Sequence, residues 1–145
     1  MERSTSADMS ALPVAAAGLE ALPRDAKGLA VLEITGQADR QEIDASEGVE
    51  VRWLVHPDPH EISAAQEDVL TSFNWPDGVV RTLIAGETAT VSALRLLTRG
   101  ERGVARERSY ASGYWRIGLA EDAHQTVKAK QADEDERRLE PIPQP

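Results

Sequence analysis

The sequence predicts an α/β fold, a three-layer sandwich with a mostly parallel sheet, and three observations predict it. Apolar runs of strand length at 29–35, 49–55, 79–85 and 109–115 alternate with segments of helical period, the pattern of parallel βαβ units. A chain of 145 residues with 41% hydrophobic residues is long enough for one sizeable core. No internal repeat divides it. Right-handed crossovers then bring the carboxyl ends of the strands to one edge, where open sheets bind their ligands.

Residues 1–9 are polar and read as an irregular start. A helix is predicted over 10–22, with Ser10 as cap, Pro13 in the first turn and Leu12, Leu19 and Leu22 at helical spacing. Residues 29–35 are mostly apolar and β-branched, the composition of a buried strand. An acidic connection over 36–48 leads to residues 49–55, where Val49, Val51, Trp53 and Val55 alternate as a strand. Pro57 and Pro59 force a turn. A helix over 63–73 is closed by the Asn74-Trp75-Pro76-Asp77-Gly78 stretch, and residues 79–85 form the next strand. A helix over 88–99 turns Val91, Leu94 and Leu97 inward and ends near Gly100. Residues 109–115 are the last strand. A polar helix over 119–139 completes a single domain of residues 1–140, and Pro141, Pro143 and Pro145 mark an extended tail over 141–145.

Composition narrows the function. A net charge of −9 argues against nucleic acid, whose affinity comes from neutralised phosphates. The absence of cysteine removes disulfides, thiolate metal sites and thiol nucleophiles, and three scattered histidines make a structural zinc site, or any directly bound metal, improbable. No apolar run approaches the ~18 residues that cross a bilayer, and the first fifteen residues lack the pattern of a secretory signal. No membrane partner is therefore expected, and the cytoplasm is the expected compartment. The charge is unevenly spread. Residues 1–94 carry a balance of −10, whereas residues 95–116 carry six arginines against two glutamates. A cationic island in an acidic chain is a candidate anion site, with a solvated arginine-rich helix face as the plainer alternative.

One stretch adds a resemblance. Ala85-Gly86-Glu87, a helical run, Glu101-Arg102-Gly103 and Ser112-Gly113-Tyr114-Trp115-Arg116 follow one another, ahead of an acidic helix. Together with Ala11-Leu12-Pro13, residues 28–33 and Val51-Arg52-Trp53-Leu54, this order resembles the C-terminal half of siderophore-interacting proteins. These are flavin-dependent ferric-siderophore reductases with a fold similar to ferredoxin–NADP reductases. The resemblance covers about residues 7–130. It implies an NAD(P)H-binding-type domain that takes part in ferric-siderophore reduction and iron release, with FAD held by a partner domain in trans, because nothing here corresponds to the family's flavin-binding β-barrel. It also implies an apolar central strand before the first helix. Only residues 1–7 could supply that strand, and burying Glu2 and Arg3 there is expected to be costly.

The resemblance assigns site residues. Asp8 and Ser10 match a family turn where nicotinamide and flavin meet, although Met9 replaces an acid; the plainer reading is that they cap the first helix. Gly86, Glu87 and Thr88 stand between a strand and a helix N-terminus, where free N–H groups suit an anion and Glu87 could meet a ribose hydroxyl or simply favour the helix dipole. No Gly-x-Gly-x-x-Gly pattern is present. Tyr114 and Trp115 stand where family aromatics approach the flavin ring, against a plain packing role for Trp115. Arg95 and Arg116 are the candidate contacts to an anionic ferric siderophore. The alternative, from another class, is a non-catalytic binding or scaffolding module that kept the fold and lost the cofactor. Removing a covering domain should also expose an apolar flank, so a homodimer anchored on Trp53, Trp75 and Trp115 is expected.

Overall fold

The computed structural model describes residues 2–76 and 78–118. The predicted helix over 119–139 and the tail over 141–145 lie outside the described residues. Within them, strand β1 (Glu2–Ala7) leads through a 3₁₀ turn (Met9–Ala11) into helix α1 (Leu12–Glu20) and strand β2 (Lys27–Ile34). Strand β3 (Gly48–Val55), helix α2 (Ala65–Ser72), strand β4 (Val80–Glu87), helix α3 (Thr88–Arg95) and strand β5 (Ser109–Trp115) follow. The sheet order is β3-β2-β1-β4-β5, and every pairing is parallel. Parallel pairing fixes the site's location, since all five strands end at the same edge.

The first nine residues depart from expectation. Residues 2–7 are not an irregular start; they form the central strand, paired on both sides. The cost anticipated for Glu2 and Arg3 is avoided by position. Both sit half-exposed at the amino edge of the sheet, while Ser4, Thr5, Ser6 and Ala7 take the buried positions. Ladder bonds come from the backbone, so pairing on both sides does not itself require apolar side chains.

Helix α1 covers one face, where Leu12, Ala15 and Leu19 meet Ala7, Ala30, Leu32, Ile34 and Ala85. Helices α2 and α3 cover the other, where Leu70, Val91, Leu94 and Leu97 meet Leu29, Val31 and Ile84. Each fully buried leucine contributes about 1.5–3 kcal/mol, so the two cores together hold the three layers. Helix α1 starts two residues later than the spacing suggests, because Asp8 caps the 3₁₀ turn before it. Helix α3 is α-helical only to Arg95 and continues as π-helix over Leu96–Glu101. Thr98 Oγ1 donates back to the Leu94 carbonyl at 3.0 Å, and the Arg102 N–H reaches the Leu97 carbonyl at 3.0 Å. This side-chain competition with the helix ladder is the local feature that accompanies the widened turn.

The three tryptophans are half-buried and already engaged within the chain. Trp53 lies under Arg40, Trp75 donates to the Leu70 carbonyl beneath Arg102, and Trp115 donates to Asp8. Exposed large apolar residues lie elsewhere, at Met9, Val55, Ile62, Val79 and Tyr110.

Candidate functional site

The carboxyl edge is organised around the Asp8 carboxylate at the end of β1. Oδ1 accepts from the Ser10 N–H at 2.9 Å and from the Ser10 hydroxyl. Oδ2 accepts from the Glu87 N–H at 2.9 Å and from Trp115 Nε1 at 3.0 Å. One side chain thus fastens the ends of β1, β4 and β5. A carboxylate offers about four lone-pair positions, and four donors occupy them. Glycines make the approach feasible. A Cβ on Gly86 would stand 2.6–2.9 Å from the Asp8 carboxylate, and Gly86 has φ +146°, a conformation other residues rarely adopt. Its register partner Gly113 leaves room for Thr88: a Cβ there would lie 2.6 Å from Thr88 Oγ1, which donates to the Trp115 carbonyl at 2.9 Å. The glycine expected to admit a ligand therefore admits the protein's own carboxylate.

Glu87 is buried and caps α3. Its Oε2 accepts from the Thr90 N–H at 3.0 Å, and its Oε1 accepts from the Ile117 N–H at 3.4 Å. The helix N-terminus that suits an anion thus already holds one from its own chain.

Beside this seam lies a cavity of about 150 Å³. Asp8, Ser10, Glu87 and Trp115 line it, as do Met9, Thr35, Pro59 and Ile117. Further lining residues that the sequence did not assign to the site include Glu33, His56, Ser63 and Gln66. Glu33 is buried one residue before the end of β2 and accepts from the Ser63 hydroxyl at 3.1 Å. Burial pushes its carboxyl pKa up, and the nearby charge of Asp8 pushes the same way, against the Ser63 hydrogen bond and His56. His56 Nε2 lies 2.8 Å from the Glu61 carbonyl, which can only accept, so that nitrogen carries the proton. His60 meets Trp115 edge-on, with ring centroids 6.2 Å apart. The one sequence signal for this wall was Glu33 itself, a charge inside an otherwise apolar strand.

The remaining assigned residues lie apart from the cavity. Gly86 and Thr88 stand behind it and hold its wall in shape. Tyr114 packs against the α1 core, its phenol pKa raised by a hydrogen bond with Tyr110 and then by burial. Arg95 is not brought to the edge. It is 6% exposed and donates to the Ala111 carbonyl at 3.1 Å, while Arg99 donates to the Ser109 carbonyl and hydroxyl. Arg116 is half-buried next to Trp115 but is not among the lining residues. The described lining includes carboxylates from Asp8, Glu33, Glu61 and Glu87 and neither lysine nor arginine. The cationic island does not make this cavity an anion site.

The sequence model of the family "Siderophore-interacting protein" matches residues 4–118, from the central strand through the Trp115 seam. The chain belongs to the siderophore-interacting protein family. It is similar to the ferric vibriobactin reductase ViuB of Vibrio cholerae, 32% identical over 130 residues, covering 88% of this chain and 48% of that protein. It is also similar to Rv2895c of Mycobacterium tuberculosis, 39% identical over 136 residues, with 87% and 48% covered. Among solved structures, the siderophore-interacting protein SipS from Aeromonas hydrophila superposes with a TM-score of 0.83 at 31% identity, covering 91% of this chain and 52% of that one. A siderophore utilization protein from T. fusca gives 0.77 at 35% identity, with 86% and 48% covered. The chain spans about half the length of the relatives it matches. Among the described residues of this siderophore-interacting protein, no helix is long and apolar enough to cross a membrane, and no group of three or more acidic or histidine side chains is arranged to hold a metal ion.

Proposed function

We propose that this siderophore-interacting chain is a stand-alone NAD(P)H-binding-type module in the cytoplasm that assists ferric-siderophore reduction with a flavin-binding domain supplied by another chain. The carboxyl-edge cavity carries the reading. Its donor set suits the nicotinamide–ribose end of the coenzyme: Ser10, Thr35, Ser63 and Gln66 offer hydroxyl and amide groups, while Trp115, Ile117 and Met9 offer apolar surface for a ring. Its acidic lining suits neither a pyrophosphate nor an anionic siderophore, so both would lie outside it, Arg116 being the nearest cation in sequence to its wall. Reduced nicotinamide supplies a hydride and a flavin passes single electrons to ferric iron, so the protein's share is to bind, orient and exclude water. Trp115 is held for that task by Asp8 and Thr88. Met9 on the cavity lining, Val55 before His56 and Ile62 between Glu61 and Ser63 are exposed apolar residues beside it, a rim suited to a flavin domain.

A second reading has its own observation. The carboxylate of Asp8 is fully used within the chain and the N-terminus of α3 already holds the Glu87 carboxylate, the state expected of a scaffold that kept the fold without the coenzyme. Titration with NADH and NADPH, followed by ligand-observed NMR and Trp115 fluorescence, separates the two. Binding in the micromolar range, tightened by a flavin-domain partner, supports the module. No binding below the millimolar range with or without that partner supports the scaffold.

A further inference from the structure

The charge of the carboxyl-edge cavity says more about its occupant than its shape does. At about 150 Å³ it has the size that holds one six-membered ring. Its described lining carries the carboxylates of Asp8, Glu33, Glu61 and Glu87 and neither lysine nor arginine, with His56 the one lining group able to turn positive. The partners of the inner three are dipoles, not counter-charges. Asp8 accepts from two backbone N–H groups, a hydroxyl and an indole N–H. Glu33 accepts from the Ser63 hydroxyl, and Glu87 from the N–H groups of Thr90 and Ile117. Such bonds satisfy lone pairs without cancelling the charge of an ionised carboxylate. The N-terminal dipole of α3 offsets part of the charge on Glu87. Burial raises the Glu33 pKa, the sign of a desolvated carboxyl whose surroundings favour the neutral form, and a cation beside it would favour the ionised one.

A second observation is aromatic. Trp115 lines the same cavity, half-buried, with its indole N–H held by the Asp8 carboxylate at 3.0 Å. Tryptophan is the best aromatic partner for a cation, and the contact gains most where water is kept out. A carboxylate on the indole N–H polarises that bond and leaves the ring richer in electrons. Met9, also on the lining, adds a polarizable sulfur. A flat ring with a positive charge is served by the carboxylates and by the tryptophan together. A neutral ring of the same shape is served by the apolar surface alone.

We infer that the carboxyl-edge cavity selects a positively charged aromatic ring, a quaternised nitrogen heterocycle, over its neutral counterpart. Joined to the coenzyme function proposed above, on which this step rests, the cavity holds oxidised nicotinamide, whose ring is cationic, more tightly than reduced nicotinamide, whose ring is neutral. Glu33 carries most of the preference, because Asp8 is shared among four donors and Glu87 faces a helix terminus.

Ligand-observed NMR titration of the whole chain with 1-methylnicotinamide and with nicotinamide compares one ring in two charge states. It is run at about pH 8, where imidazole is ordinarily uncharged, and at about 0.15 M salt, which screens exposed charges beyond about 8 Å. The cation is expected to bind at least tenfold more tightly. Glu33→Gln should bring that ratio down severalfold, while Glu47→Gln, an exposed acid just before β3 at the opposite end of the strands, leaves it unchanged. Glu61→Gln, an exposed acid on the lining, should lower the ratio as well and serves if Glu33→Gln fails to fold. Parallel titrations with NAD⁺ and NADH separate this inference from the reading beneath it. NAD⁺ binding at least tenfold more tightly than NADH supports both. Both dinucleotides binding, with NAD⁺ no tighter, overturns the charge preference and leaves the coenzyme reading standing. A preference for 1-methylnicotinamide with neither dinucleotide bound overturns the coenzyme reading and leaves the preference standing. Equal affinity for the two small rings, or no binding of either at about 10 mM, overturns the inference whatever the dinucleotides do.

Discussion

Asp8 accepts from three different elements, and its substitution should be read as a loss of fastening. A hydrogen bond to a charged group is worth about 1.5–3 kcal/mol net, and the four bonds here share one carboxylate. Asp8→Ala is expected to cost roughly 3 kcal/mol in urea unfolding, with a changed Trp115 emission because its indole N–H loses its acceptor. Gly113→Ala should also destabilise, since the new methyl meets Thr88 Oγ1. Adding Thr88→Ala removes that atom, so the double variant should cost less than the sum of the two single ones, and strict additivity would show that the close approach does not matter. Glu33 has a pH signature. Burial raises its pKa in the folded chain, so the folded state holds this proton more tightly than the unfolded one. Its contribution is full below the unfolded value and is lost as pH rises through the raised folded value. Stability should therefore fall with pH over that window, and Glu33→Gln should flatten the decline in urea titrations run across a pH series.

At the scale of elements, the cationic island resolves into structural parts. Arg95 and Arg99, one turn apart, donate to the Ala111 and Ser109 carbonyls, two residues apart on β5, one of the two outer strands of the described sheet. Strand edges need cover, and here helix side chains from α3 and its π extension reach across to give it. Replacing Arg95 and Arg99 by methionine should speed amide hydrogen exchange in β5 well beyond any change elsewhere, while the coenzyme binding proposed for the carboxyl edge stays as it is in the native chain. Equal exchange in native and variant proteins would remove the edge-covering role. The helix over 88–99 was legible from Val91, Leu94 and Leu97, because a 3.6-residue period survives in any amphipathic segment. Its π-helical end was not legible, because the Thr98 back-bond and the Arg102–Leu97 closure are choices between nearly equal local geometries. Strand β1 was illegible for the opposite reason: its residues are polar, and only its two neighbours make it a strand.

For the whole molecule, three of the five exposed large apolar residues named above, Met9, Val55 and Ile62, lie beside the carboxyl-edge cavity. Ile62 is 81% exposed, with Met9 and Val55 at about half that. The tryptophans first expected to anchor a homodimer are occupied within the chain, so any association should run through this rim instead. Light scattering over a concentration series should give a mass above 15.8 kDa at high micromolar concentration, and Ile62→Asp should return it to 15.8 kDa. A flavin domain that binds the same rim should compete with self-association. These 145 residues alone should be colourless on purification, since the described fold has no β-barrel to hold an isoalloxazine; stoichiometric flavin absorbance would contradict that.

The amino-acid sequence by itself determined the strand–helix alternation, the parallel sheet and the family, because these rest on local period and on the order of short motifs along the chain. It also marked Asp8, Glu87 and Trp115, which the fold brings together across 107 residues of sequence separation. What those residues do was decided by tertiary structure alone. Asp8 is saturated because Gly86 lets it approach and Trp115 arrives from the far end of the chain. Arg95 is spent on a strand edge because α3 lies over β5. Arg3 and Arg81 lie far apart in sequence, and strand register alone sets them side by side. Charge counted along a chain says how much there is, whereas its sign at any one place is set by which strands lie next to each other.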